Sequence, residues 1–304
     1  MLFRSVLRQI TNNRGVRDVA ASLPPHAGAT ERALAFETEL AEHILSMPDA
    51  QDALSATAPV VVSGMASSTI GWKELPYAST PFSVDGSNAA ADWISVRLQG
   101  PRILPVLLIS GLATHSEMMR GEETQLIGLL AQPEFAACRR DGLVNLPGTH
   151  SKHIRVHDNH VADFHTYLTG ELFQVIREHS ILRFTTSGDG SAMDPDAFRE
   201  GVAAVRDQGL PRSLFQVRSR SVLGGKSPSA NRSFLSGLLV GAELADLVHQ
   251  PGTGPVLLAA AGTLADHYRS AAETLGIDAR FITAGPSVLE KALVSGHIEL
   301  LRHA

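Results

Sequence analysis

The sequence predicts an α/β protein, a mixed sheet with helices on both faces, divided into two domains. Its 304 residues suggest two domains or one large one. In the first half, aliphatic runs alternate with stretches of helical period. In the second half, three strands come in meander order and strand–helix–strand units follow. Antiparallel strands followed by such units are the pattern of a mixed sheet covered by helices. The pattern changes near Arg139 to Gly142, giving domains 1–138 and 139–304.

The elements follow in order. MLFRSVLRQITNNRGVR holds four arginines and no acid before Asp18, as a transit peptide would. Its arginines lie on no helical face, so the preferred reading is a strand, VLRQI, and a turn, NNRG. Thr30 can cap a helix in which Phe36, Leu40, Ile44 and Met47 recur at helical spacing, and Pro48 and Asp49 end it. APVVVSGM (58–65) is a buried strand, and SSTIGWKELPY (67–77) is the polar and aromatic loop at its exit. ILPVLLIS (103–110) is a strand and GEETQLIGLLA (121–131) a helix with acids in its first turn. GLVNLPG, HIRVHD (153–158) and HVADFHT (160–166) form the meander, with a turn at Asp158-Asn159, and LTGELFQVIREHS (168–180) is a helix. Then come a helix over FLSGLLVGAELADLV (234–248), a strand VLLAAAG, a helix DHYRSAAETLG, a strand ARFITAG and a final helix toward His303.

Hydrophobic residues at 44% and charged residues at 19% are ordinary for a globular protein. A net charge of -5 without a basic cluster gives no reason to expect nucleic acid or an anionic membrane as partner. The longest apolar runs are far shorter than the roughly 20 residues of a membrane helix. The single cysteine, Cys138, cannot form an intramolecular disulfide, which favours a reducing compartment and therefore the cytoplasm. Oligomeric state is left open. The histidines at 150, 153, 157, 160 and 165 lie on strands without a metal-binding helix pattern, so no zinc site is expected.

Four stretches could carry chemistry, and each also has an ordinary structural reading. LPGTHSK (146–152) is a glycine turn whose N–H groups, hydroxyls and Lys152 could hold a phosphate, or it is a hairpin turn with a solvated lysine. In MRGEETQ (119–125), a carboxylate could accept a substrate proton while Arg120 grips an anion. Alternatively, the acids simply complement the helix dipole. The 67–77 loop could line a ligand cleft, or Trp72 could tuck into the core. AAAGTLADHY (259–268) opens a helix at Gly262-Thr263 and could meet a phosphate or ribose, or it is tight strand–helix packing.

Taken in order, SGMxSSxxGWxExPY, MRGEETQLIGLL, LPGTHSKHI, DFHTYLTGELF, FLSGLLVGAE and AAAGTLADHY resemble the 2-keto-3-deoxygalactonokinase (2-dehydro-3-deoxygalactonokinase) family, from about Ser63 to the C-terminus. RGEETQLIG and PGTHSK are its specific signatures. The resemblance implies two ribonuclease-H-like domains of the actin and hexokinase kind around a cleft, the first binding sugar and the second nucleotide. It implies transfer of the γ-phosphoryl of ATP, with Mg2+, to the 6-hydroxyl of 2-dehydro-3-deoxy-D-galactonate in galactonate breakdown. It also implies roles: Gly148, Thr149 and Lys152 on the phosphates, and Gly262 and Thr263 near the nucleoside. Glu122 would be the general base with Glu123 as the alternative, Arg120 would meet the sugar acid's carboxylate, and Ser67, Ser68 and Trp72 would line the sugar site. The metal ligands are not assigned.

The resemblance also implies a gap. The family opens with a strand and turn, roughly D-W-G-T-[ST]-N-x-R, which forms the first phosphate-binding hairpin and supplies a magnesium-anchoring aspartate. The matching here begins after that place. The preferred reading is a start lying upstream. The alternative is a catalytically impaired protein that binds sugar acid on the same fold.

Overall fold

The computed structural model describes residues 6, 8–47, 58–98, 103–187, 193–249 and 254–304. The fold is mixed α/β, in two compact units: Met1–Gly128 with Val294–Ala304, and Leu129–Leu293.

In the first unit, strand Ile103–Ile109 is central. It pairs in parallel with Val60–Val62 on one edge and antiparallel with Ala91–Arg97 on the other. Its aliphatic run follows from cover on its faces, with Val106 and Leu108 fully buried. Helix Ala29–Ser46 supplies Phe36 to the cluster of Val19, Trp72, Val96 and Val106, and Ile44 to the cluster of Leu98 and Leu104. Helix Glu122–Leu130 buries Leu126, Ile127, Leu129 and Leu130. The end of helix Pro286–His303 lies against it so closely that a Cβ on Gly296 would stand 1.9 Å from the Thr124 carbonyl oxygen.

Several expectations for this unit are corrected. No strand forms over the described part of VLRQI, where Val6 and Ile10 are exposed; Leu7 lies outside the described residues. Among the described residues no strand pairs with it, and an unpaired strand has no stability of its own. The first regular element among the described residues is helix Val16–Ala21, where the Gly15 N–H donates to Asp18 Oδ2 at 2.7 Å. Thr30 is not the cap of the next helix. Gly28 holds that position, and its N–H donates to Glu31 Oε2 at 3.0 Å, as in a capping box. Pro48 and Asp49 lie outside the described residues. The strand Ala91–Arg97 went unread because its Asp92 and Ser95 interrupt the apolar pattern.

In the second unit the strand order is Phe281–Thr283, Val256–Leu258, Asp141–Leu146, Ser151–His157, His160–Tyr167. The last three form the meander, and the first two are added in parallel beside Asp141–Leu146. Asp158 and Asn159 both take left-handed backbone (φ 47 and 60), the two-residue turn that matches strand twist. Helices Pro195–Gln208 and Pro228–His249 cross closely, and Phe198, Leu244, Val256, Leu258 and Tyr268 share one core. The helices Arg183–Thr186, Pro195–Gln208, Leu210–Leu214 and Gln216–Val222 were not anticipated. One of them carried a readable start signal: Asp194 Oδ1 accepts the N–H groups of Asp196 and Ala197, with Pro195 in the first helical position. Among the described residues no helix is long and apolar enough to cross a membrane.

Candidate active site

The first group of candidate residues sits where helix Glu122–Leu130 begins. Gly121 has φ 108, and a Cβ there would approach the Gly64 Cα to 3.3 Å, so two backbones meet where a side chain fits poorly. This brings the turn Met65–Ser67 beside Arg120. Arg120 Nη1 donates to the Ser67 carbonyl at 2.6 Å and to Ser67 Oγ, and its guanidinium carbon lies 4.1 Å from the centre of the Tyr77 ring. Its Nε is buried without a hydrogen-bond partner. Ser68 Oγ donates to the Met65 carbonyl at 2.7 Å, which closes the turn.

The two carboxylates differ. The Arg120 N–H donates to Glu122 Oε2 at 2.9 Å, and Glu122 is partly exposed. Glu123 is 2% exposed; its Oε2 accepts the Gly121 N–H at 2.7 Å and its Oε1 accepts the Thr124 hydroxyl at 3.0 Å. Burial pushes the Glu123 carboxyl up to about 7, against the lowering effect of those hydrogen bonds and with help from the neighbouring Glu122. Ser67, Arg120 and Glu122 are thus linked by direct hydrogen bonds, with Ser68 in the same turn, while Glu123 is held apart from them by Gly121 and Thr124. The Trp72 backbone N–H donates to the Ala66 carbonyl at 2.7 Å in this same turn, while its side chain is buried with Val19, Phe36, Val96 and Val106 and anchors the loop from the core side.

The second group lies in the second unit, around a cavity of about 360 Å³. Gly148 of the turn, Thr169 and Gly170 at one helix start, and Thr263 at another line one part of it. Phe173, Leu239 and Val240 give it an apolar wall, with Arg232, Ser236 and His267 as polar points. The turn and the helix Thr169–His179 are tightly joined. The Glu171 N–H donates to the Thr149 carbonyl at 3.1 Å, and a Cβ on Gly170 would stand 2.7 Å from the Gly148 oxygen. His267 stacks on Phe198 with centroids 5.0 Å apart, and burial lowers its pKa. The structure therefore places Gly148 and Thr263 on one cavity, while Thr149, Lys152 and Gly262 stand outside its lining. Lys152 is 4% exposed, and its Nζ donates to Thr166 Oγ1 at 2.9 Å across the strand pair.

Sequence reasoning missed the cavity's far wall, from the helices at 169, 228 and 262. The strings DFHTYLTGELF and FLSGLLVGAE contain it, but their spacing says nothing of which side chains converge. Among the described residues, no group of three or more His, Cys, Asp or Glu is placed to hold a metal ion.

A glycine turn and two helix N-termini around one cavity are features from which phosphate-binding sites are generally built. Comparison with known proteins is more specific. Residues 4–295 match the family model of 2-keto-3-deoxy-galactonokinase. A Rhizobium meliloti protein named probable 2-dehydro-3-deoxygalactonokinase DgoK1 is 37% identical over 246 residues, 78% of either chain. The 2-dehydro-3-deoxygalactonokinase of Escherichia coli is 33% identical over 249 residues, 78% of this chain and 77% of that one. A crystal structure from Sinorhizobium meliloti, provisionally assigned as a 2-dehydro-3-deoxygalactonokinase, superposes with a TM-score of 0.72 at 31% identity, covering 90% of this chain and 88% of the other. The chain belongs to the 2-keto-3-deoxy-galactonokinase family, a family of carbohydrate kinases.

Proposed function

We propose that the protein transfers the γ-phosphoryl group of ATP to the 6-hydroxyl of 2-dehydro-3-deoxy-D-galactonate. The first unit takes the sugar acid and the second the nucleotide, each built as a ribonuclease-H-like domain. The meander with parallel strands added beside it supports that fold for the second unit. Magnesium accompanies ATP, held mainly by phosphate oxygens, and the protein's part is positioning and charge stabilisation. The buried Cys138 suits the reducing cytoplasm.

Roles follow from access and charge. Glu122 is the general base, because a base must come within hydrogen-bond reach of the hydroxyl and Glu122 is the more accessible carboxylate. Glu123 holds the Gly121 N–H and is the alternative base, since a carboxyl near 7 is poised for proton transfer. Arg120 meets the substrate carboxylate, with Ser67 and Ser68 beside it, and its unpartnered Nε is the donor still to be satisfied. Gly148 serves the phosphates at the cavity wall, with Thr149 and Lys152 behind it in the same hairpin, and Thr263 stands nearer the nucleoside with Gly262 beside it. The observation that carries the reading is the bonded group of Ser67, Arg120 and Glu122 at one helix start, with the buried Glu123 beside it on Gly121.

Phosphorus NMR of the product tests it. A phosphomonoester coupled to the C6 protons is expected with MgATP and this sugar acid. Phosphate on another hydroxyl, or only free phosphate, would refute the assignment.

A further inference from the structure

Beneath the Gly148 turn lies a buried polar chain that the proposed reaction leaves without a role. Glu243, 2% exposed on helix Pro228–His249, accepts three hydrogen bonds, from Tyr268, Thr169 and Asn145, and lies beside His153, whose Nε2 is also 2.6 Å from Asn145 Nδ2. Its Oε2 accepts the Tyr268 hydroxyl at 2.7 Å and the Thr169 hydroxyl at 2.5 Å. Its Oε1 lies 3.1 Å from Asn145 Nδ2 and 2.9 Å from His153 Nε2. Burial acts to raise the Glu243 pKa, yet these partners, led by His153, hold it below its ordinary value, so the group is an anion.

The anion fixes the direction of every bond above it. Tyr268 has one hydroxyl proton and spends it on Glu243, an acceptor only. Ser151 Oγ, 3.1 Å from the Tyr268 oxygen, must then donate to it. That leaves Ser151 Oγ free to accept the Gly148 N–H, which it does at 3.2 Å. The bonds run one way, from the turn to the carboxylate, and bonds in such a chain strengthen one another. The same carboxylate holds Thr169, the first residue of the helix whose Glu171 N–H grips the Thr149 carbonyl.

We infer that Glu243 and Ser151, which stand outside the cavity lining and are joined through Tyr268 on its wall, are positioning residues that set the Gly148 turn and the Thr169 helix start for the nucleotide's phosphates. This rests on the reading that the nucleotide occupies the cavity lined by Gly148 and Thr263. A buried anion is a costly way to fill a core, and packing alone would be served as well by apolar side chains. What the anion adds is a fixed geometry at the turn that lines the cavity.

The test uses Tyr268→Phe and Ser151→Ala, singly and together, with KM for MgATP, KM for the sugar acid, and the Kd of MgADP by titration calorimetry. Each variant removes one link and leaves Glu243 with its other donors. Each single change should raise the MgATP KM and the MgADP Kd about tenfold, as loss of one hydrogen bond to a charged network would. The sugar-acid KM should stay within about twofold, and the double variant should be no worse than the worse single, since both break one chain. Glu243→Gln should act in the same direction and more strongly. Unchanged nucleotide constants in both single variants, with wild-type binding intact, would overturn the relay alone. A parallel rise in both KM values would also overturn it, by showing a general loss of structure. No MgADP binding by the wild type would overturn the nucleotide reading and the relay with it.

Discussion

The guanidinium carbon of Arg120 lies over the Tyr77 ring, 4.1 Å from its centre, while its Nη1 donates to the Ser67 carbonyl at 2.6 Å. Stacking and hydrogen bonding together fix the plane of the group before any ligand arrives, which lowers the ordering cost of gripping a carboxylate. Lysine offers neither the plane nor the fork. Arg120→Lys should therefore raise the sugar-acid KM about tenfold to a hundredfold, the worth of a charged hydrogen bond. The MgATP KM should stay put. Steady-state kinetics with each substrate varied checks this, and equal shifts in both would count against it.

Glu123 makes stability depend on pH. Its folded value of about 7 stands above the ordinary 4.5, so between those pH values the folded state holds more protons than the unfolded one. Its contribution to stability is intact below 4.5, falls as pH rises through that window, and is flat above 7. Glu123→Gln cannot ionise and escapes the fall. Relative to wild type the variant should gain stability from pH 5 to pH 8, on the order of 3 kcal/mol at most. Melting curves of both proteins across that range decide it, and a difference that does not change with pH would contradict the assignment.

Gly148→Ala separates the cavity from the fold. A Cβ at Gly148 would meet no atom within 4 Å, so the protein itself has room for it. The residue lines the cavity, however, and a methyl group there intrudes on a close phosphate approach. The MgATP KM should rise about tenfold, a modest steric penalty of the kind overpacking brings, while the melting temperature stays within a degree or two. A large fall in melting temperature, or an unchanged KM, would contradict the placement.

Much of the site was legible because its parts are close in sequence. Arg120, Glu122 and Glu123 share one helix start, and a run of acids after a glycine announces such a start. Gly148 and Thr263 were legible as a glycine turn and a helix opening. Which side of the turn faces the cavity was not, since one residue of shift reverses a strand side chain; Lys152 points to Thr166 and lies outside the lining. For Trp72 both places were open, the sugar site and the core, and its ring packs in the core with Phe36 and Val106. The Glu243 network was invisible for a different reason. His153 and Glu243 are 90 residues apart in sequence, and only tertiary packing makes them partners. Of the helices between 183 and 222, those of 4, 5 and 7 residues give little periodicity to count, whereas Pro195–Gln208, with Phe198, Val202 and Val205 at helical spacing, was readable and was missed.

The most direct test of the central claim is ADP release from MgATP in the presence of 2-dehydro-3-deoxy-D-galactonate, with Glu122→Gln and Glu123→Gln alongside the wild type. Sugar-acid-dependent turnover is expected in the wild type. Glu122→Gln should lower kcat by roughly 10²–10⁴ without changing the MgADP Kd, as loss of a general base would. Loss of that size in Glu123→Gln alone would move the proton transfer to Glu123. Full activity in both variants, or no sugar-acid-dependent ADP release by the wild type, would contradict the account.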